Sequence, residues 1–168
     1  KQLMTETANL ASKCDVLLHT HLAETEEENK FCLEHMGMRP LDYLEECGWL
    51  EERTWLAHGI FFNDDELKRL AKKKVGIATC PHSNMILGSG IFPLCGFEKQ
   101  KGIVGIGVDG SASNDSSNMI EEVRQAMLLH RIKYGPREVS HLDALRWASE
   151  GSAGCIKRND LGKIEIGR

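Results

Sequence analysis

Three short stretches of this sequence close on side chains that bind metals or move protons. Val16-Leu17-Leu18-His19-Thr20-His21 finishes on two imidazoles, Thr54-Trp55-Leu56-Ala57-His58 finishes on a third, and the run Ile103 to Val108 leads into Asp109. Each stretch is apolar over the length of a buried strand and polar where that strand would meet a loop, which is where parallel barrels keep their chemistry. Imidazole nitrogen and carboxylate oxygen suit a divalent cation such as zinc, and a catalytic site of that kind brings the pKa of water toward neutrality. Three strand ends offering His, His and Asp therefore predict one metal site, with His21 and Asp109 as ligands. Glu24 follows His21 by three residues, so its carboxylate can reach back toward the site and relay a proton. Strand alternation puts His19 on the same face as His21, and spacing alone leaves the choice between them open.

A single histidine in a strand is more often a hydrogen-bonded core residue than a ligand, so the functional reading rests on His21, His58 and Asp109 occurring together. His35, His82, His130 and His141 read as surface or capping residues, with His82 in a loop, Cys80 to Asn84, that would face the site. Glu26, Glu27 and Glu28 read as the solvated start of a helix favoured by its dipole. Cys80 has no base placed beside it and reads as a packed thiol. The glycines of Gly105-Ile106-Gly107 lie inside a strand and make no phosphate loop.

The elements that must position these residues alternate. A helix over Met4 to Ser12 precedes a strand from Asp15 to His21, followed by a helix carrying Phe31, Cys32 and Met36 with Gly37 as its C-cap. A further helix starts at Pro40, buries Leu41, Leu44 and Cys47, and stops at Gly48. After the strand Thr54 to His58, Asn63 and Glu66 form a capping box ahead of a helix with Leu67, Leu70 and Ala71 on one face. Val75 to Thr79 and Ile103 to Val108 are the remaining strands. Met119 to Lys133 then reads as an amphipathic helix with Ile120, Val123, Met127 and Leu128 inward, and Leu142 to Glu150 as a shorter one. Strands separated by helices imply an α/β fold with a parallel sheet. Gly162 to Gly167 resembles a turn into another short strand.

Composition sets the outer limits. The chain has 168 residues and a net charge of -4, with no basic run beyond Lys72-Lys73-Lys74, which argues against a nucleic-acid surface and for a small-molecule substrate. The six cysteines are widely spaced, without a C-x-x-C pair, and read as reduced thiols of a cytoplasmic protein. No apolar stretch approaches the roughly 20 residues of a membrane span, and Lys1-Gln2-Leu3-Met4 does not open a signal peptide. A closed eight-stranded barrel takes roughly 250 residues, so a chain this short that opens without a methionine reads as a piece of something longer.

His19-Thr20-His21-Leu22-Ala23-Glu24-Thr25, Trp55-Leu56-Ala57-His58-Gly59, Cys80-Pro81-His82-Ser83-Asn84-Met85 and Gly107-Val108-Asp109-Gly110-Ser111-Ala112-Ser113-Asn114-Asp115 together resemble the metal-dependent amidohydrolase superfamily, in its branch of purine, pterin and s-triazine deaminases and chlorohydrolases. Leu128 to Pro136 and Ala144 to Ala148 extend the likeness over nearly the whole chain.

The resemblance implies the C-terminal half, strands five to eight, of a TIM (β/α)8 barrel over residues 1-158, with 159-168 starting the return to a small β-sandwich domain. It selects His21 over His19. His21 would bind the metal from the fifth strand, His58 would come from the sixth and hold or polarise the attacking water, and Asp109 would close the site from the eighth, binding the metal and taking the water proton. Glu24 would protonate a ring nitrogen, with Asn84 and Ser113 as substrate or supporting contacts. The cofactor would be one divalent metal, zinc or alternatively iron. The reaction would be hydrolytic removal of an exocyclic amine from a heteroaromatic ring such as 8-oxoguanine, guanine or a pterin. An s-triazine chlorohydrolase or aminohydrolase, and a non-catalytic interaction module on the same fold, are the alternatives. The family's first strand supplies two further ligands through a His-x-His pair that this sequence lacks, and Thr79 stands where relatives often carry a histidine. The chain alone is therefore expected to be inactive and to need the N-terminal half as a partner, with no role for nucleic acid or membrane and homo-oligomerisation left open. That half barrel would leave two open strand edges and an uncovered inner face with Val16 and Leu18 on it.

Overall fold

The computed structural model describes residues 1–167. Its centre is a parallel sheet of strands β1 (Leu18–Leu22), β2 (Thr54–His58), β3 (Gly76–Thr79) and β4 (Ile103–Ile106), hydrogen-bonded in the order β1-β2-β3-β4. Helix α1 (Gln2–Cys14) leads into β1, α2 (Glu26–Met36) and α3 (Pro40–Glu46) cross to β2, and α4 (Asp64–Lys72) crosses to β3. Helices α5 (Pro81–Ile86) and α6 (Leu94–Lys99) cross to β4, and α7 (Met119–Tyr134), α8 (His141–Arg146) and α9 (Ser152–Cys155) follow it. Sequential parallel neighbours joined by helices are the α/β arrangement that the alternation implies.

Pairing register divides the strand residues between two faces. Thr20, Leu56, Ile77 and Val104 share one row, and His21, Ala57, Ala78 and Gly105 share the next. The first face is the core: Leu18, Leu56, Ile77 and Val104 pack with Leu41, Leu44, Leu67, Leu70, Leu94 and Phe97 of the helices. Leu18 is thus buried on the helical side, against the expectation that it lies on the uncovered face, and Val16 precedes the strand. The other face presents His19, His21 and Trp55.

Local chemistry explains most element boundaries. Asn63 accepts from the N–H groups of Asp65 and Glu66 while Glu66 returns a bond to the Asn63 N–H, completing the capping box that starts α4. The Glu66 carboxylate, buried, also takes Arg39 Nε at 2.7 Å and Nη2 at 2.8 Å, which ties α4 to the loop before α3. Gly37 ends α2 at φ 71°.

Several boundaries differ from expectation. Asp15 ends α1 in a left-handed conformation, φ 50°, so pairing begins at Leu18 instead of Asp15. Residues 80–84 form the first turns of α5 with Pro81 in its opening turn, where a missing N–H costs nothing. On α7 the buried stripe is Glu122, Ala126 and His130, while Ile120 and Leu128 are exposed. The helix expected over Leu142 to Glu150 is α8 continued by a π-helical turn, Trp147–Gly151, into α9. Residues 162–167 hold bends and a turn, and no strand forms among them.

That π turn lies along the outer edge of β4. A Cβ on Gly151 would stand 1.9 Å from the Val104 carbonyl oxygen, so only glycine permits the approach. Ser152 Oγ accepts from Ile106 N–H and donates to the Ile106 carbonyl, both at 3.1 Å. The β4 edge is therefore partly satisfied, contrary to the expectation of two open edges. On β1, Leu18 N–H donates toward β2 and the Leu22 carbonyl accepts from Gly59, which leaves the His19 and His21 backbone groups facing outward.

Candidate functional site

The side chains singled out at the strand ends meet at the C-terminal end of the sheet. His21 lies on β1, His58 ends β2, and Asp109 follows β4 by three residues. At each of these ends a residue that is not glycine adopts a left-handed conformation: Ala23 at φ 53°, His58 at φ 70° and Asp109 at φ 65°. Such conformations cost on the order of 1–3 kcal/mol each and persist where surrounding contacts fix them. Here they turn the chain sharply off the strand, so that Glu24, His58 and Asp109 face the same space.

His58 is the centre of the cluster and is fully buried. Its Nε2 stands 3.1 Å from His21 Nδ1, 3.7 Å from Asp109 Oδ2 and 3.7 Å from Glu24 Oε2, which is also 4.0 Å from His21 Nδ1. The donor atoms of His21, His58 and Asp109 all lie within 4.8 Å of one another. Ligands about 2.1 Å from a shared zinc ion at tetrahedral angles stand about 3.4 Å apart, so small side-chain rotations suffice to share one ion.

A second layer orients these donors. Asn84, buried, turns its Nδ2 toward Thr79 Oγ1 and presents Oδ1 to His58 Nδ1 at 2.9 Å. In that orientation Nδ1 carries the proton and Nε2 offers its lone pair to the cluster. Ser83 Oγ donates to Asp109 Oδ2 at 2.6 Å, with Ser113 Oγ 2.7 Å from Ser83. Partial burial pushes the Asp109 carboxyl up, but the Ser83 hydroxyl, the Gly110 N–H and the two imidazoles outweigh it and hold the group below its usual range. Asp109 is accordingly an anion at neutral pH. Ser83 has a direct role that the sequence reading does not assign, although it lies inside the Cys80 to Met85 motif.

Other candidates stand apart from the cluster. His19 stacks on Trp55 with ring centroids 3.5 Å apart and an interplanar angle of 15°, its Nδ1 3.2 Å from the Trp55 carbonyl. Burial lowers its pKa. Cys80 is buried, and burial with the carboxylates of Asp109, Glu122 and Glu24 raises its thiol pKa, so it holds its proton and reads as packing. His130, expected at the surface, is fully buried with Nδ1 donating to the Ala126 carbonyl at 2.8 Å. Two imidazole nitrogens and one carboxylate oxygen match the donor set that zinc or iron(II) accepts. Among the described residues no helix is long and apolar enough to cross a membrane.

Comparison with known proteins agrees with this geometry. The amidohydrolase family profile matches residues 1–168. The chain is 50% identical over 167 residues to 8-oxoguanine deaminase of Pseudomonas aeruginosa, covering 99% of this chain and 37% of that protein. It is 39% identical over 166 residues to hydroxydechloroatrazine ethylaminohydrolase of a Pseudomonas species, covering 97% and 34%. Among solved structures, a zinc-bound adenosine deaminase from Xanthomonas campestris superposes with a TM-score of 0.94 at 30% identity, over 98% of this chain and 38% of that one. Atrazine chlorohydrolase from Arthrobacter aurescens, complexed with zinc, gives 0.93 at 36% identity, over 99% and 37%. The chain thus spans well under half the length of the relatives it matches.

Proposed function

Because the chain belongs to the amidohydrolase family, we propose that it is the C-terminal half of a TIM barrel whose whole protein is a hydrolytic deaminase of heteroaromatic amines. Residues 1-158 are assigned to that half barrel, and 159-168, of which Arg168 lies outside the described residues, to the start of a return to a small β-sandwich domain. The observation that carries the reading is the convergence of His21, His58, Asp109 and Glu24 at neighbouring strand ends. The 50% identity to 8-oxoguanine deaminase favours 8-oxoguanine, guanine or a pterin-like ring over an s-triazine.

The geometry supports the following roles. His21 and Asp109 would hold one divalent metal, zinc or alternatively iron, with His58 Nε2 near enough to join them or to hold the attacking water. Bound there, the metal supplies Lewis acidity that makes water nucleophilic near neutral pH. Asp109, kept anionic by Ser83, accepts a proton from that water. Glu24 stands over the cluster within 4.0 Å of both imidazoles, placed to relay one water proton to a ring nitrogen as the C–O bond forms, while the proton taken by Asp109 passes to the departing amine. The balance is water plus ring amine giving ring carbonyl plus ammonia. Asn84 acts through His58, and Ser113 through Ser83 and Asp109. Two or three protein ligands hold a metal less firmly than the fuller set implied for the whole barrel, so this chain alone should be inactive.

A direct test replaces the matched segment of Pseudomonas aeruginosa 8-oxoguanine deaminase with this chain and measures ammonia release from 8-oxoguanine, guanine and isoxanthopterin. Turnover of one of them, abolished by Asp109→Ala, is the expected result. A folded, zinc-loaded chimera that releases no ammonia but hydrolyses atrazine would move the assignment to the triazine branch. One that does neither would leave the fold as a binding module.

A further inference from the structure

We propose that Glu122, on α7, is a positioning residue that sets the placement of Asp109 through Asn114 and the first turn of α5. The proposal rests on the reading of His21, His58 and Asp109 as the metal-holding cluster.

Glu122 is fully buried, and its two carboxylate oxygens are both used as acceptors of neutral donors. Oε1 takes Asn114 Nδ2 at 2.7 Å and Oε2 takes the His82 backbone N–H at 3.2 Å. A carboxyl group in such a place is costly unless hydrogen bonds satisfy it. Those two contacts lead to the two sides of Asp109. Asn114, also buried, gives its second amide proton to the carbonyl of Val108, the residue before Asp109, at 2.9 Å. Its Oδ1 is occupied by Ser116 Oγ and Ser117 N–H, so the whole amide is engaged. His82 precedes Ser83, the residue whose hydroxyl holds Asp109 Oδ2 at 2.6 Å.

Glu122 therefore joins the peptide that carries Asp109 to the helix start that carries its hydrogen-bond donor. Asp109 sits at φ 65°, in the left-handed region, and the bonds from Asn114 and Ser83 bear on its two sides. No neutral side chain of the same length can replace the carboxylate. Glutamine offers one acceptor and turns an N–H toward the other donor, so one of the two arms is released.

Glu122→Gln tests this in the chain as it stands, with zinc alone as the probe. Two quantities are read at a temperature where far-ultraviolet circular dichroism shows variant and parent equally folded: the zinc dissociation constant, by competition with a chromophoric chelator, and amide hydrogen exchange. Loss of a group that orients a metal ligand weakens binding by about 10-fold to 100-fold. The expected result is a loss in that range, with faster exchange confined to the His82 amide and residues 108–114 and β1 to β3 unchanged. Affinity within twofold of the parent together with unaltered exchange in 108–114 would overturn the proposal. So would exchange accelerated evenly across the sheet, the behaviour of a residue that only fills the core.

Asp109→Asn separates this from the underlying metal reading. If it leaves zinc affinity unchanged, Asp109 is no ligand and that reading fails, and the positioning of the 108–114 segment is then decided by exchange alone. Should Glu122→Gln not fold, Asn114→Ser cuts the same link while leaving Glu122 on His82 N–H; the same two measurements then support or overturn the proposal on the same outcomes.

Discussion

At the scale of single residues, His58 carries two constraints that pull in one direction. Asn84 fixes which imidazole nitrogen is protonated, and the left-handed backbone aims the other nitrogen at His21 and Asp109. Asn84→Leu removes the acceptor and leaves a buried N–H without a partner, at a cost of about 1–3 kcal/mol. We expect a lower melting temperature together with zinc affinity reduced by about 10-fold or more; unchanged affinity in a folded variant would show that Asn84 does not orient His58. Asp109→Ala should weaken zinc by at least as much, read in the same titration. The types of these residues were legible in the sequence, because His21, His58 and Asp109 each end an apolar run. Ser83 and Glu122 were not, since a hydroxyl or a carboxylate inside a helix usually faces water.

At the scale of elements, the clearest lesson comes from α7. Its apolar residues Ile120, Val123, Met127 and Leu128 suggested the buried face; Val123 and Met127 do pack partly buried against the core, but Ile120 and Leu128 are exposed and Glu122, Ala126 and His130, four residues apart, lie deepest. Polarity misleads there because Glu122 finds buried donors in Asn114 and the His82 N–H, and His130 Nδ1 finds the Ala126 carbonyl one turn back on its own helix. His130 gives a pH test. Its pKa is lowered from 6.5 by burial, so the folded state binds its proton less readily than the unfolded state. That contribution to stability is fully present above the unfolded value and is lost as pH falls through the folded one, so the loss begins near pH 6.5 and grows on acidification. Unfolding free energy measured with urea should decline from pH 7 toward pH 5, and the decline should be shallower in His130→Phe. An equal slope in both would assign it to other groups. The capping residue of α4 gives a second test. Glu66→Ala removes the return bond to Asn63 and strands Arg39, which retains some solvent contact, so the cost should be about 2 kcal/mol. A loss below about 0.5 kcal/mol would reduce that ion pair to surface behaviour.

At the scale of the whole molecule, helices cover one side of the sheet along its length, whereas on the other side α9 lies against Gly76 and Gly105 of β3 and β4 and leaves His19 and His21 of β1 exposed. That less covered side carries the site, and the β1 edge remains open while the turn through Gly151 and Ser152 occupies part of the β4 edge. A bound ion would tie three strand ends together, so it should stabilise the entire chain. Zinc at a hundred times its dissociation constant adds about 2.7 kcal/mol, which for a chain of this size raises the melting temperature by about 5 to 10 °C. A chelator should reverse the shift, and Asp109→Ala should abolish most of it. A melting temperature indifferent to zinc would argue against a shared ion.

The sequence by itself determined the α/β alternation, the strands at or near whose ends His21, His58 and Asp109 lie, and the capping box at Asn63, because each depends on residue types at short, fixed spacings. Only the tertiary structure decided that His19 stacks away on Trp55, that α7 buries its polar stripe, and that Asn84 bonds His58, Ser83 bonds Asp109 and Glu122 bonds Asn114 and the His82 N–H. Those outcomes depend on which groups meet across the sheet, and a hydrogen bond between residues 26 or 40 positions apart, as in His58 to Asn84 or His82 to Glu122, leaves no periodic trace in the chain.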